Sequence, residues 1–123
     1  MIDAIIQRLS DACPNLAAVD EPTRIQPLEQ SAYPVATAHL AASSRAESRL
    51  SAGTSEALRI EIRITAQSGA QLESARKEIA AALDGHIPTG AVMPLSFVAG
   101  EMLQLSGPYC QWRDVYQITS CLV

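Results

Sequence analysis

The sequence predicts an α+β two-layer sandwich: a sheet of about five strands, mostly antiparallel or mixed, with two helices packed on one face. Three observations predict it. Two segments repeat apolar residues at spacings of three and four, the period of a helix with one buried face: Ile2, Ile5, Ile6 and Leu9, then Leu72, Ala75, Ile79 and Leu83. A third segment, Leu58-Arg59-Ile60-Glu61-Ile62-Arg63-Ile64-Thr65, alternates strictly between aliphatic and polar residues, as a strand with one buried face does. The remaining apolar runs are short and punctuated by Gly and Pro, and 123 residues are the length of one domain, 1–123.

The elements follow in order. In the first helix, Asp3 suits the positive end of the dipole, and Pro14 stops the helix after Cys13. Leu16 to Val19 is a short extended piece, ended by Asp20-Glu21-Pro22, and Thr23 to Ala32 reads as loop. From Tyr33-Pro34 a strand places Val35, Thr37 and His39 on one face and Ala36, Ala38 and Leu40 on the other. Residues 43–56 hold five serines, Gly53, Thr54 and alternating charges around one large apolar residue, Leu50; they are expected to form a long flexible loop projecting between the second and third strands.

Ser68-Gly69 turns the chain into the second helix, where Glu73 and Lys77 form a favourable i,i+4 pair and Gly85 supplies the stop. Val92 to Val98 and Met102 to Leu105 read as two extended pieces separated by Gly100. The last strand is expected over Val115 to Val123, with Trp112 just ahead of it.

Composition excludes several functions. With nine basic and thirteen acidic residues the net charge is −4, and no run of Lys or Arg exists, which argues against a module that grips nucleic acid. No apolar stretch is long enough to span a membrane, and Asp3 stands where a signal peptide carries basic residues, so the chain is expected to stay in the cytoplasm where it is made. Cys13, Cys110 and Cys121 show no C-x-x-C spacing and have no His at metal-ligand distance in sequence; free thiols without metal or cofactor are expected.

The residues do not assemble a catalytic set. His39 lies on a strand, and Asp84 with His86 marks a polar helix end more readily than a base with its orienting acid. No nucleophile elbow and no phosphate-binding glycine loop is present, so an enzyme built on Asp84, His86 or Cys110 is disfavoured. What stands out is surface for association. Arg59, Glu61 and Arg63 alternate in sign on one strand face, Arg45, Glu47, Arg49 and Leu50 occupy the serine-rich insert, and Trp112 sits beside Arg113 and Asp114. These eight residues (Arg45, Glu47, Arg49, Leu50, Arg59, Glu61, Arg63, Trp112) are the candidate subunit interface, with ion pairs setting register and Leu50 and Trp112 supplying apolar contact.

The order of these features resembles the tail terminator (tail completion) proteins of long-tailed bacteriophages, of the lambda-type and Mu-like group. The resemblance is carried by the Met1-to-Leu9 helix, the Tyr33-Pro34-Val35-Ala36 strand start and the Ser/Arg/Glu-rich insert. It continues through the Leu58-to-Ala66 strand, the Gln71-to-Leu83 helix and Trp112-Arg113-Asp114-Val115-Tyr116 before the final strand. It implies a structural, non-enzymatic subunit that closes into a hexameric ring on the tail tube, stops tube polymerisation and presents a surface for the capsid connector. The implied partners are further copies of the chain, the tail-tube protein and head–tail connector proteins. In such a ring DNA is expected to pass the lumen without specific binding, with no membrane or cofactor involved. The implied location is the head-proximal end of the tail in the virion, after assembly in the bacterial host cytoplasm. Alternatives are another head–tail joining or tail-tube subunit, or a small ligand-binding regulatory domain, which would need a well-formed apolar pocket.

Overall fold

Ile60, Ile62 and Ile64, the alternating aliphatics of the clearest strand, are fully buried, and the other elements are arranged around them. A computed structural model describes residues 2–22, 33–47, 54–88, 93–104 and 109–122. The elements are α1 (Ile2–Ala12), β1 (Ala18–Asp20), β2 (Val35–Glu47), β3 (Thr54–Ala66), α2 (Gly69–Leu83), β4 (Ser96–Gln104) and β5 (Cys110–Leu122). The five strands form one sheet in the order β1-β2-β3-β5-β4. The β1–β2 pair is parallel and the other three pairs are antiparallel, so the sheet is mixed.

Both helices lie on the face that carries the isoleucines. Ile5, Leu9 and Cys13 from the first apolar stripe, and Leu72, Ala75, Ile79 and Leu83 from the second, join Ala36, Ala38, Tyr116 and Ile118 in one core. The small Ala36 and Ala38 are the β2 residues in this core, on the strand against which α1 packs, while α2 packs on β3 and β5. The ends of α2 follow from local chemistry. The Ser68 hydroxyl accepts the Gln71 N–H as N-cap, and Gly85 at φ 80° takes the left-handed turn that ends the helix.

Four expectations need correction. The segment 43–56 is not all loop: β2 runs on to Glu47 and β3 starts at Thr54, with Arg45 opposite Glu56 and Glu47 opposite Thr54. Main-chain pairing continues there past an irregularity between Leu40 and Ala42, and such pairing needs no apolar alternation to hold it. Residues 48–53 of the expected loop, including Arg49 and Leu50, lie outside the described residues. Gly100 does not separate two pieces; it lies inside β4, for a packing reason given below. The last strand begins at Cys110, so Trp112 is within it. Glu61, which alternates with the exposed Arg59 and Arg63 on one strand face, is itself buried, at 4% exposure.

Two buried protons make stability sensitive to alkali. Burial pushes the Cys13 thiol up to about 11, with Glu78 adding to the effect and Arg8 opposing it. Burial, then Asp114, also raises the Tyr116 phenol. A group whose folded value is raised contributes stability that is intact below its unfolded value and lost as pH rises through the folded one. The unfolding free energy is therefore expected to be level near neutrality and to fall as pH climbs from 9.0 to about 11. Denaturant titrations across that range should show a shallower fall in Cys13→Ala; equal slopes in the two chains would refute the assignment.

Candidate functional site

The face of the sheet away from the helices carries no second layer among the described elements, yet it is not bare. Strand alternation puts His39 of β2, Glu61 and Arg63 of β3, Arg113 of β5 and Glu101 of β4 on that face, in neighbouring register positions. The Glu61 carboxylate is the centre. His39 Nε2 lies 2.7 Å from one of its oxygens, Arg63 Nε 3.5 Å from the same oxygen, and Arg113 3.2 Å from the other. Arg113 also pairs with Glu101. Three flanking cationic or hydrogen-bonding groups explain how a carboxylate can be buried on a nominally polar face. Two nitrogens in this cluster, His39 Nδ1 and Arg113 Nε, are buried without a hydrogen-bond partner.

A second polar cluster lies on the helix side. Asp114 is 2% exposed and saturated by donors: Arg76 grips both oxygens, each at 3.0 Å, and the Trp112 indole N–H donates at 2.8 Å. The Arg76 guanidinium also stacks 4.1 Å from the Trp112 ring centroid. Gly100 of β4 passes directly over this group. A Cβ there would run into Asp114 Oδ1 and lie 2.8 Å from the Trp112 nitrogen and 3.1 Å from the Arg76 guanidinium. The glycine is required by this close approach, which no local pattern in the sequence announces.

The structure thus distributes the candidate interface residues unevenly. Glu61 is occupied within the chain, and Trp112 is partly buried against the core and tied to Asp114 and Arg76. Arg59 and Arg63 remain exposed, Arg59 touching Gln117 at 3.4 Å. Arg45 and Glu47 are placed by backbone register on the extended β2 arm. Asp84 accepts the Phe97 N–H at 3.4 Å and caps α2, as a polar helix end does. Among the described residues no group of three His, Cys, Asp or Glu side chains converges as a metal site would require, and no helix is long and apolar enough to cross a membrane.

Apolar exposure is what sequence reasoning missed. Among the described residues, Phe97, Val98, Met102 and Leu103, all of β4, are exposed, as is Leu40 of β2. The signal was the density of large apolar residues in a segment where Gly100 hid the continuity of the strand. Two open grooves flank these regions. One, of about 580 Å³, is lined by Ile2, Glu21, Pro22, His39, Leu40 and Arg63 at the β2 margin. The other, of about 370 Å³, lies between α2 and β4, beside Phe97 and Tyr116. Neither has the enclosed apolar form of a small-molecule pocket.

Charge is divided by layer. Around the helices Asp3, Asp11, Glu73, Glu78, Asp84 and the buried Asp114 stand against Arg8, Arg76 and Lys77, an excess of negative charge. On the open sheet face Arg59, Arg63 and Arg113 stand against Asp20, Glu61 and Glu101, so the charges balance.

Comparison with known proteins gives a concordant picture. A family model described as phage tail terminator protein matches residues 2–122. A chain in the solved structure of the virion of a native gene transfer agent particle superposes with a TM-score of 0.77 over 100% of this chain and 95% of that one, at 14% identity. At that identity the likeness shows the fold. No curated protein sequence matches.

Proposed function

Since the chain belongs to the phage tail terminator family, we propose that it is the subunit of a hexameric ring that caps the tail tube, stops its growth and offers the capsid connector a surface to join. The observation that carries this reading is the extent of the family match, which takes in α1, the whole sheet and α2 and not a fragment of them. The open sheet face, which carries no second layer among the described residues, and the apolar exposure of β4 fit a part built to be covered by neighbours.

The mechanism is termination by unlike faces. A heterologous contact repeated around a closed ring uses two different patches on each copy and leaves the two ring surfaces distinct. One surface accepts the last tube ring; the other does not present a tube-like surface, so polymerisation ends. Arg59, Arg63 and the β2 arm with Arg45 and Glu47, followed by Arg49 and Leu50, contribute register at these contacts. Exposed ion pairs add only about 0–1 kcal/mol each, so they align the copies more than they hold them. DNA passes without specific binding: Arg63 and Arg113 are already paired with carboxylates, and the run of free cations that phosphate binding needs is missing from the described faces. The ring sits at the head-proximal end of the tail and is assembled in the host cytoplasm.

The test is genetic and visual. Deleting the gene should leave overlong tubes or tails that fail to join heads, and restoring the chain should return tails to one length. Deletion particles with head-joined tails of normal length would refute the terminator reading. A purified chain that grows into indefinite tubes would reassign it as a tube subunit.

A further inference from the structure

The five-stranded sheet ends in two margins that differ. On one side β4 is the last strand, and no described strand pairs with its outer edge. On the other, β1 pairs with β2 only over Val35–Thr37, so from Ala38 onward the outer edge of β2 has no described partner. Free edges of this length, one of them rich in exposed apolar side chains, are hazards that proteins blunt or cover. Here one margin exposes Phe97, Val98, Met102 and Leu103, and the other exposes Leu40 beside a groove that Ile2 and Pro22 help to line.

We propose that these two margins are the two halves of the contact between neighbouring copies: β4 of one copy adds to the free edge of β2 in the next, where β1 leaves off. The proposal rests on the ring reading above and deepens it. Direction agrees. Each of the pairs β2–β3, β3–β5 and β5–β4 is antiparallel, so β4 runs opposite to β2. Rotation about a ring axis lying along the strands preserves direction, so β4 meets the neighbouring β2 as an ordinary antiparallel pair.

Both faces agree as well. Ala38 and Leu40 of β2 point to the helix side, as do Phe97 and Met102 of β4, since their register partners Ile62, Ile60, Tyr116 and Trp112 do. His39 lies on the opposite face with Arg63, as does Glu101 through its partner Arg113. Joining the margins therefore sets apolar against apolar on one side and the half-exposed Glu101 carboxylate near His39 and Arg63 on the other. A one-residue slip would put each set on the wrong face, which gives the contact its register. A second copy of the chain supplies both chemistries at once, because each margin is the complement of the other and they sit at opposite ends of one sheet.

The experiment uses two variants of the whole chain: Val98→Lys with Met102→Lys, which charges the β4 margin, and Leu40→Lys, which charges the β2 margin. All three positions are exposed, so each variant is expected to melt like the parent. Native mass spectrometry over a concentration series, and electron microscopy with isolated tail tubes, should show rings for the parent. Ring formation should fall by about tenfold or more in each variant, because a lysine would be buried against an apolar partner. Mixed in equal amounts, the two variants retain one good margin each and should form a heterodimer that grows no further. Parent rings that persist undiminished in both variants overturn the edge assignment and leave the ring reading intact, as does a mixture with no heterodimer. A parent chain that forms no ring, free or on tubes, overturns the ring reading and this contact with it.

Discussion

Arg76→Ala is expected to lower the unfolding free energy by about 3 kcal/mol, at the lower end of the range for breaking a buried ion pair from one side. The reason lies in what is left behind. Asp114 is 2% exposed, and without the guanidinium it keeps a single donor, the Trp112 indole N–H. A carboxylate held out of water by a protein that no longer solvates it costs far more than the pair it has lost contributes. Loss of the stacking of Arg76 on Trp112 adds to the effect. For a chain of this length the melting temperature should drop by roughly 10 °C. Two controls separate charge from geometry. Arg76→Lys keeps the charge but not the two-pronged grip, and should recover part of the loss. The pair Arg76→Met with Asp114→Leu removes both charges, and should be closer to the parent than either single variant. A single variant that melts within a degree or two of the parent would show that water solvates Asp114 without help.

Gly100→Ala is the second large effect, about 2–3 kcal/mol of destabilisation from one methyl group forced into a filled space. The methyl meets Asp114 Oδ1, the Trp112 nitrogen and the Arg76 guanidinium, and these cannot step aside while they hold one another. That predicts coupling. In the Arg76→Ala background the Asp114 side chain is free to rotate, so adding Gly100→Ala should cost less than in the parent by about 1 kcal/mol or more. Chemical denaturation of the two single variants and the double variant closes the cycle. Strict additivity would mean that the methyl is absorbed by a shift of the β4 backbone and not by this side-chain group.

Periodicity made part of the fold legible. The stripes of α1 and α2 and the alternation of β3 are local records of a buried face, and Ile5, Leu9, Leu72, Ile79, Ile60, Ile62 and Ile64 are indeed interior. What stayed illegible depends on residues distant in sequence. Glu61 reads as an exposed position until His39 and Arg113 arrive from two other strands. Gly100 reads as a break because its cause is Asp114, fourteen positions on, and Arg76 in a helix. The β2 arm carries no apolar signal, since backbone pairing with β3 holds it. Trp112, read as an interface anchor, has internal partners that the sequence announces only by half: Asp114 is two residues on, Arg76 is far away in the chain.

The placement of the irregularities has a mechanical meaning. β3 and β5 pair without interruption from Thr54–Leu122 to Ala66–Cys110, whereas register shifts fall between Leu40 and Ala42 in β2 and at two points in β4. The centre of the sheet is a stiff plank, and its compliance is concentrated in β2 and β4, the strands on either side of it. A bending load applied at either rim is taken up where the pleat is already broken, and the isoleucine core under the helices need not yield to it.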